Sequence, residues 1–187
     1  MMNERYDYYE AVKADALEAI RDEYQPQTLA DILDLFEKRD EIYDDLWTMD
    51  SVTGNGSGSY TFNSWKAEEN LLHNLNLLGE ACEAFDCNYD ILKNGAEACD
   101  VTIRCYLLGG AIDEALEELA HEALVNELLG KIGGPSWESV PAIELVTGCE
   151  VEGFGDWGDL ADEAHTLIEH ADREQLEAWL EELNNAA

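Results

Sequence analysis

The sequence predicts a mostly α protein, a multi-helix bundle with a Gly/Ser-rich loop or short hairpin near residues 50–63 and a small C-terminal helical subdomain. Three observations predict it. Apolar residues recur three and four apart through most of the chain, the spacing of one helix face. Hydrophobic residues make up 46% and aromatic residues 9% of the 187, too many for an acidic chain that stays unfolded. The breaks between periodic segments are Pro26, a Gly/Ser run after Asp50 and Gly133-Gly134-Pro135, with little strand-like alternation between them.

In order along the chain, Tyr9, Val12, Ala16 and Ile20 share one face of a first helix over Tyr8–Ile20. Pro26 ends that pattern, and Thr28 caps a second helix with Asp31 as its capping-box partner. The second helix carries Leu29, Ile32, Leu33, Leu35, Phe36, Ile42, Tyr43 and Leu46. Asp50–Asn63 contains Asn55-Gly56 between β-branched and aromatic residues, a hairpin signal, with a flexible linker as the competing reading. Ser64 caps a third helix bearing Leu71, Leu72, Leu75, Leu78 and Cys82.

A fourth helix starts near Asn88 or Ala96 and runs through Val101, Ile103, Tyr106 and Leu107. Gly109-Gly110 interrupts it before Ile112, Leu116, Leu119, Leu124, Leu128 and Leu129. Gly133-Gly134-Pro135 is the clearest break. It divides a helical main domain, 1–132, from an acidic helical C-terminal subdomain, 133–187, unless the two are one continuous domain. Beyond it come a short helix at Val140–Val146, a Gly-rich turn over Gly153–Gly158, and two closing helices at 159–170 and 172–183.

Charge narrows the function. Forty-three Asp and Glu face ten Lys and Arg, a net charge of −33, where a small domain ordinarily carries a single-digit value. Residues 111–187 hold twenty acids and two bases, more than half of the excess. Direct binding to nucleic acid or to an anionic membrane is disfavoured, because phosphates repel such a chain. No apolar stretch reaches the roughly 20 residues of a membrane span. The first residues lack the basic-then-apolar order of a secretory signal, so the expectation is a cytoplasmic protein whose five cysteines are reduced.

The Gly-rich loop resembles a phosphate cradle only superficially. A P-loop needs Lys and a hydroxyl residue directly after its last Gly, whereas Gly58 is followed by Ser59-Tyr60 and the nearest Lys is Lys66. The separations Cys82–Cys87 and Cys99–Cys105 are wider than the usual zinc pair, and apolar neighbours suit small core residues better. Asp156 and Asp159 are too few for a Ca²⁺ loop, and His121-Glu122 lacks the second His of a zincin helix. The expectation is a protein with no enzymatic activity, no cofactor and no metal.

The acidic helix faces carry the sharpest expectation. Asp113, Glu114, Glu117, Glu118 and Glu122 recur at helical spacing, as do Glu163, Glu174, Glu177 and Glu181. Side chains so spaced lie about 5–6 Å apart and repel by about 0.2–0.5 kcal/mol per pair. That spacing is comparable with neighbouring phosphates of a nucleic-acid strand. The alternative is a solvated face with no partner.

Three stretches stand out together: Tyr6-Asp7-Tyr8-Tyr9-Glu10-Ala11-Val12-Lys13, then Leu46-Trp47-Thr48-Met49-Asp50 through Asn63, then Cys99-Asp100-Val101-Thr102-Ile103-Arg104-Cys105-Tyr106-Leu107-Leu108-Gly109. They resemble a family of small acidic proteins carried by phages and other mobile elements, similar to anti-CRISPR and DNA-mimic inhibitors of host defence. The resemblance implies no catalytic residue. It implies that the middle loop is a contact surface through Trp47, Asn55 and Tyr60, with a purely structural loop as the alternative.

Charge and resemblance together lead to a non-enzymatic inhibitor whose acidic surface competes with nucleic acid for a basic channel. Its expected partner is a basic nucleic-acid-binding protein, an RNA-guided CRISPR effector nuclease, whose target-DNA binding it blocks. The rival readings are an acidic adaptor that binds basic proteins without inhibiting a nuclease, a metal-dependent enzyme using the Cys and His residues, and halophilic adaptation.

Overall fold

A computed structural model describes residues 7–48, 64–133, 137–152 and 154–186. Among these residues there are ten α-helices, one 3₁₀ turn and no strand, as the periodicity predicts. The expected loop or hairpin, with Asn55 and Tyr60, lies outside the described residues, and so does the side chain of Trp47. The chain falls into two compact units, Met1–Glu117 and Glu118–Ala187.

In unit 1, helix α1 spans Tyr8–Tyr24. Its first turn is closed by Asp7, whose carboxylate accepts the N–H groups of Tyr9 and Glu10 at 3.0 and 3.3 Å. The buried face is Tyr8, Val12, Ala16, Ala19 and Ile20. Tyr8, not Tyr9, is the aromatic in the core; Tyr9 is half-buried.

The predicted second helix is two. Helix α2, Leu29–Glu37, starts on the capping box: Thr28 Oγ1 accepts the Asp31 N–H at 3.2 Å and Asp31 Oδ2 accepts the Thr28 N–H at 2.9 Å. At Lys38 the N–H turns back to the Leu35 carbonyl, a tight three-residue step. Helix α3, Arg39–Thr48, then buries Ile42 and Leu46.

The predicted third helix is likewise divided, into α4, Ser64–Leu72, and α5, Leu75–Ala84. Asn74 makes the break, its N–H donating to the Leu71 carbonyl and its side-chain amide to the Asn70 carbonyl, both at 2.9 Å. The break turns Leu72 and Leu75 outward, although periodicity placed them with Leu71 and Leu78 in the core. A four-residue helix α6, Ile91–Asn94, is capped by Asp90.

Helix α7, Ala96–Ile132, is continuous through Gly109-Gly110, contrary to the interruption expected there. Two glycines weaken a helix by about 0.5–1 kcal/mol each relative to Ala. Their neighbours Leu108, Ala111 and Ile112 are completely buried, and burial of one large aliphatic side chain contributes about 1.5–3 kcal/mol. Packing therefore wins over propensity. The glycines also admit neighbours: a Cβ at 109 would lie 3.4 Å from Arg39 Nη2, and one at 110 would lie 3.5 Å from the Tyr9 hydroxyl. The core of this unit gathers Tyr8, Leu71, Leu78, Cys99 and Ile103, flanked by Leu77, Cys82, Ile91, Ala96 and Leu107.

The division between units lies within α7; residue 132, where the sequence expectation places its boundary, is the last residue of that helix. In unit 2 a 3₁₀ turn at Trp137–Ser139 leads into α8, Val140–Thr147, which ends at Gly148 with φ 70°. Helix α8 packs against α9, Phe154–His170, and α10, Arg173–Ala186. Helix α9 thus begins within the segment read as a Gly-rich turn. Ala142, Ile143 and Val146 meet a core that includes Ala161, Ala164, Ile168, Leu176 and Leu180. Among the described residues no helix is long and apolar enough to cross a membrane.

Candidate functional site

The expected acidic residues fall into two groups with different duties. Asp113 and Glu114 are in unit 1, where both are engaged by bases of the same unit. Arg39 grips Asp113 with two nitrogens, Nε and Nη2, the latter at 2.8 Å, and also donates to the Gly109 carbonyl at 3.2 Å. Lys13 Nζ lies 3.8 Å from Glu114 Oε2. Burial, a hydrogen bond to Glu114 and the charges of Glu114 and Asp113 push the Tyr9 phenol up to about 12. These two carboxylates hold α1 and α3 to α7. Both pairs are partly exposed, and pairs of that kind contribute about 0–1 kcal/mol. Glu117 closes the unit and is exposed.

The rest of the set belongs to unit 2. Glu122 is exposed and Glu118 half-buried on α7; Glu163 on α9 and Glu174, Glu177 and Glu181 on α10 are all exposed. Helix α10 explains its own polarity. Leu176 and Leu180, one turn apart, are buried, and Glu174, Glu177 and Glu181 form a row along the exposed flank of the helix. Helix α9 does the same, with Ala161, Ala164 and Ile168 inside and Asp159, Asp162, Glu163 and Glu169 outside.

Counter-charge inside this unit is scarce. From Glu118 to Ala187 there are seventeen acids and two bases, net −15. Arg173 is used on Glu177, Nε to Oε1 at 2.7 Å, and Lys131 Nζ lies 3.3 Å from the Asn184 side-chain oxygen. Glu174 and Glu181, on either side of Glu177 along the row, thus lie on a surface that unit 2 cannot neutralise with its own bases.

An open groove of about 390 Å³ in unit 2 is lined by His121, Glu122, Val125, Asn126 and Glu169. It brings an acid of α7 and an acid of α9 to one depression. His121 is anchored there, Nε2 donating to the Ala171 carbonyl at 3.0 Å.

Sequence reasoning missed a buried charged cluster in unit 1. Arg104 is almost completely buried, and its Nε and Nη1 donate to Asp100 Oδ2 at 3.0 Å and Asp15 Oδ2 at 2.9 Å. The Tyr8 hydroxyl donates to the other Asp100 oxygen at 2.9 Å. Burial raises the Asp15 carboxyl above its ordinary range, with Arg104 opposing. Among the described residues every buried side-chain nitrogen or oxygen has a partner. The available signal was Asp100 and Arg104, opposite charges four apart within an otherwise apolar helical stretch.

Cys99 and Cys105 are buried, Cys82 and Cys87 half-buried and Cys149 exposed. Burial alone pushes the Cys105 thiol up to about 11, which leaves it little thiolate character. Among the described residues no three His, Cys, Asp or Glu side chains are arranged to hold a metal ion. Comparison with protein-family models, with curated proteins and with solved structures finds no match to this chain.

Proposed function

We propose that this protein is a non-enzymatic inhibitor that presents the acidic face of unit 2 to a basic nucleic-acid-binding protein. The observation that carries the reading is the Glu174–Glu177–Glu181 row on α10, in a unit with seventeen acids and two bases. Carboxylates held at helical spacing on a packed scaffold offer regularly spaced negative charge at little ordering cost. A channel built to hold a phosphate backbone is the complementary surface, and an RNA-guided CRISPR effector nuclease has such a channel. Occupying it excludes target DNA by electrostatic competition, with fast association that weakens as salt rises.

The test uses the full chain and an RNA-loaded effector nuclease. Binding of the chain and binding of target DNA are measured over a range of NaCl concentrations. The expected result is association that falls steeply with salt, together with displacement of target DNA. Glu174→Lys, Glu177→Lys and Glu181→Lys combined should reduce association at least tenfold, while Glu174→Gln alone changes it little. Undisturbed DNA binding at saturating protein overturns the inhibitor reading. Binding to many unrelated basic proteins without displacement of DNA favours an adaptor instead.

A further inference from the structure

Where α5 ends, the backbone closes in a Schellman turn. The Cys87 N–H donates to the Cys82 carbonyl at 2.9 Å, the Asp86 N–H donates to the Glu83 carbonyl at 3.3 Å, and Asp86 takes the left-handed conformation with φ 49°. In this motif the first and last residues of the turn bring their side chains together, a contact ordinarily made by two apolar groups. Here both are cysteine. The Tyr89 N–H donates to Cys82 Sγ at 3.4 Å. Both residues are half-buried, and Cys82 also packs against the Tyr8–Leu71–Leu78–Cys99–Ile103 cluster. A backbone hydrogen bond between the two residues themselves limits how far apart their Cα atoms can lie, and a disulfide spans roughly 4.4–6.8 Å.

We propose that Cys82 and Cys87 are a reversible dithiol–disulfide pair, oxidised by thiol–disulfide exchange with a small-molecule disulfide. One cysteine, as thiolate, attacks a sulfur of the reagent, forming a mixed disulfide and expelling a thiolate that takes up a proton. The second cysteine loses its proton and attacks the protein sulfur of that mixed disulfide, releasing the other half of the reagent as thiol. The protein gives up two electrons and two protons, and the reagent leaves as two thiols. The new bond closes a turn that the backbone already holds, so it pins the exit from α5 with little rearrangement of the main chain. Burial and the neighbouring Cys82 side chain raise the Cys87 thiol above its ordinary range, so exchange accelerates as pH rises above neutrality.

The test is alkylation mapping of the intact wild-type chain after equilibration with oxidised and reduced glutathione in varying ratio. Supporting the proposal, Cys82 and Cys87 lose reactivity together, the tryptic mass shows an internal bridge, and dithiothreitol restores both thiols. Cys149, being exposed, should acquire only a mixed disulfide with glutathione under the same conditions. Cys87→Ser should abolish the internal bridge and leave Cys82 alkylatable or singly glutathionylated. A wild-type chain in which Cys82 and Cys87 are glutathionylated separately, or bridge to other cysteines, overturns the proposal. The wild-type map reads the pair directly and does not depend on how the variant folds.

Discussion

Arg104 reaches Asp15 across 89 residues of chain, Nη1 to Oδ2 at 2.9 Å, while its Nε holds Asp100 one turn away on its own helix. The bridge ties α1 to α7 through a side chain that is 4% exposed, and Tyr8 completes it from the first turn of α1. Tyr8, Asp100 and Arg104, from the two ends of this unit's sequence, form one hydrogen-bonded network in the fold.

Removing the guanidinium leaves two carboxylates in a poorly solvated site. Arg104→Ala should therefore destabilise the chain by about 3–5 kcal/mol, the usual consequence of orphaning a buried charge. Tyr8→Phe removes one hydrogen bond to a charged acceptor and should cost about 1.5–3 kcal/mol. Urea unfolding midpoints check both, and a loss below about 1 kcal/mol for Arg104→Ala would show that water reaches the site in place of the guanidinium.

Asp15 and Asp31 should respond to acid in opposite directions. Burial raises the Asp15 carboxyl, so the folded state binds that proton more tightly than the unfolded state does. Its ionisation costs stability, and the cost disappears as pH falls through the raised value. Hydrogen bonds from Thr28 and Gln27 lower Asp31, so its contribution is present above the unfolded value and is lost as pH falls through the lowered one. Between about pH 6 and pH 3, the ordinary carboxylate range, wild type should gain stability relative to Asp15→Asn and lose it relative to Asp31→Asn. Denaturation series of the three proteins across that range provide the check.

Net charge sets a second pair of opposing responses. At −33 the folded chain repels itself, so its melting temperature should rise as added salt shortens the screening length from about 30 Å at 0.01 M to about 8 Å at 0.15 M. Association with a basic partner should weaken over the same interval. The chain should nonetheless be folded at the low-salt end; a chain that unfolds there carries its acids as halophilic adaptation instead.

Glycines within helices separate packing from propensity. A methyl group at Gly79 in α5 or Gly130 in α7 meets nothing within 4 Å, so each change to Ala should add about 0.5–1 kcal/mol of stability. At Gly109 the same methyl lies 3.4 Å from Arg39 Nη2, and the gain should shrink or vanish. Thermal melts of the three single variants make the comparison.

Helix existence, the Thr28–Asp31 cap and the outward acids of α10 were legible from local pattern, because each depends on residues within one or two turns. The breaks were not. The step at Lys38 and the turn at Asn74 contain neither Pro nor Gly, and Gly109-Gly110 carries a break signal that the fold overrides. Tyr8 and Tyr9 are equally aromatic; Tyr8 lies one turn before Val12 on the buried Val12–Ala16–Ile20 face, and Asp100 satisfies its hydroxyl there. In the acidic set, nothing in the sequence near Asp113 and Glu114 announces their partners; Arg39 and Lys13 are brought to them from α3 and α1.

By itself the sequence determined a helical chain with far more negative charge than its own bases can offset, since periodicity and charge are properties of composition and order. The tertiary structure alone decided that α7 runs on through Gly109-Gly110, that Arg104 meets Asp15 and that Arg39 meets Asp113. The physical reason is that burial and ion pairing join residues distant in sequence, and those energies exceed the few tenths of a kcal/mol, roughly, by which local propensities differ.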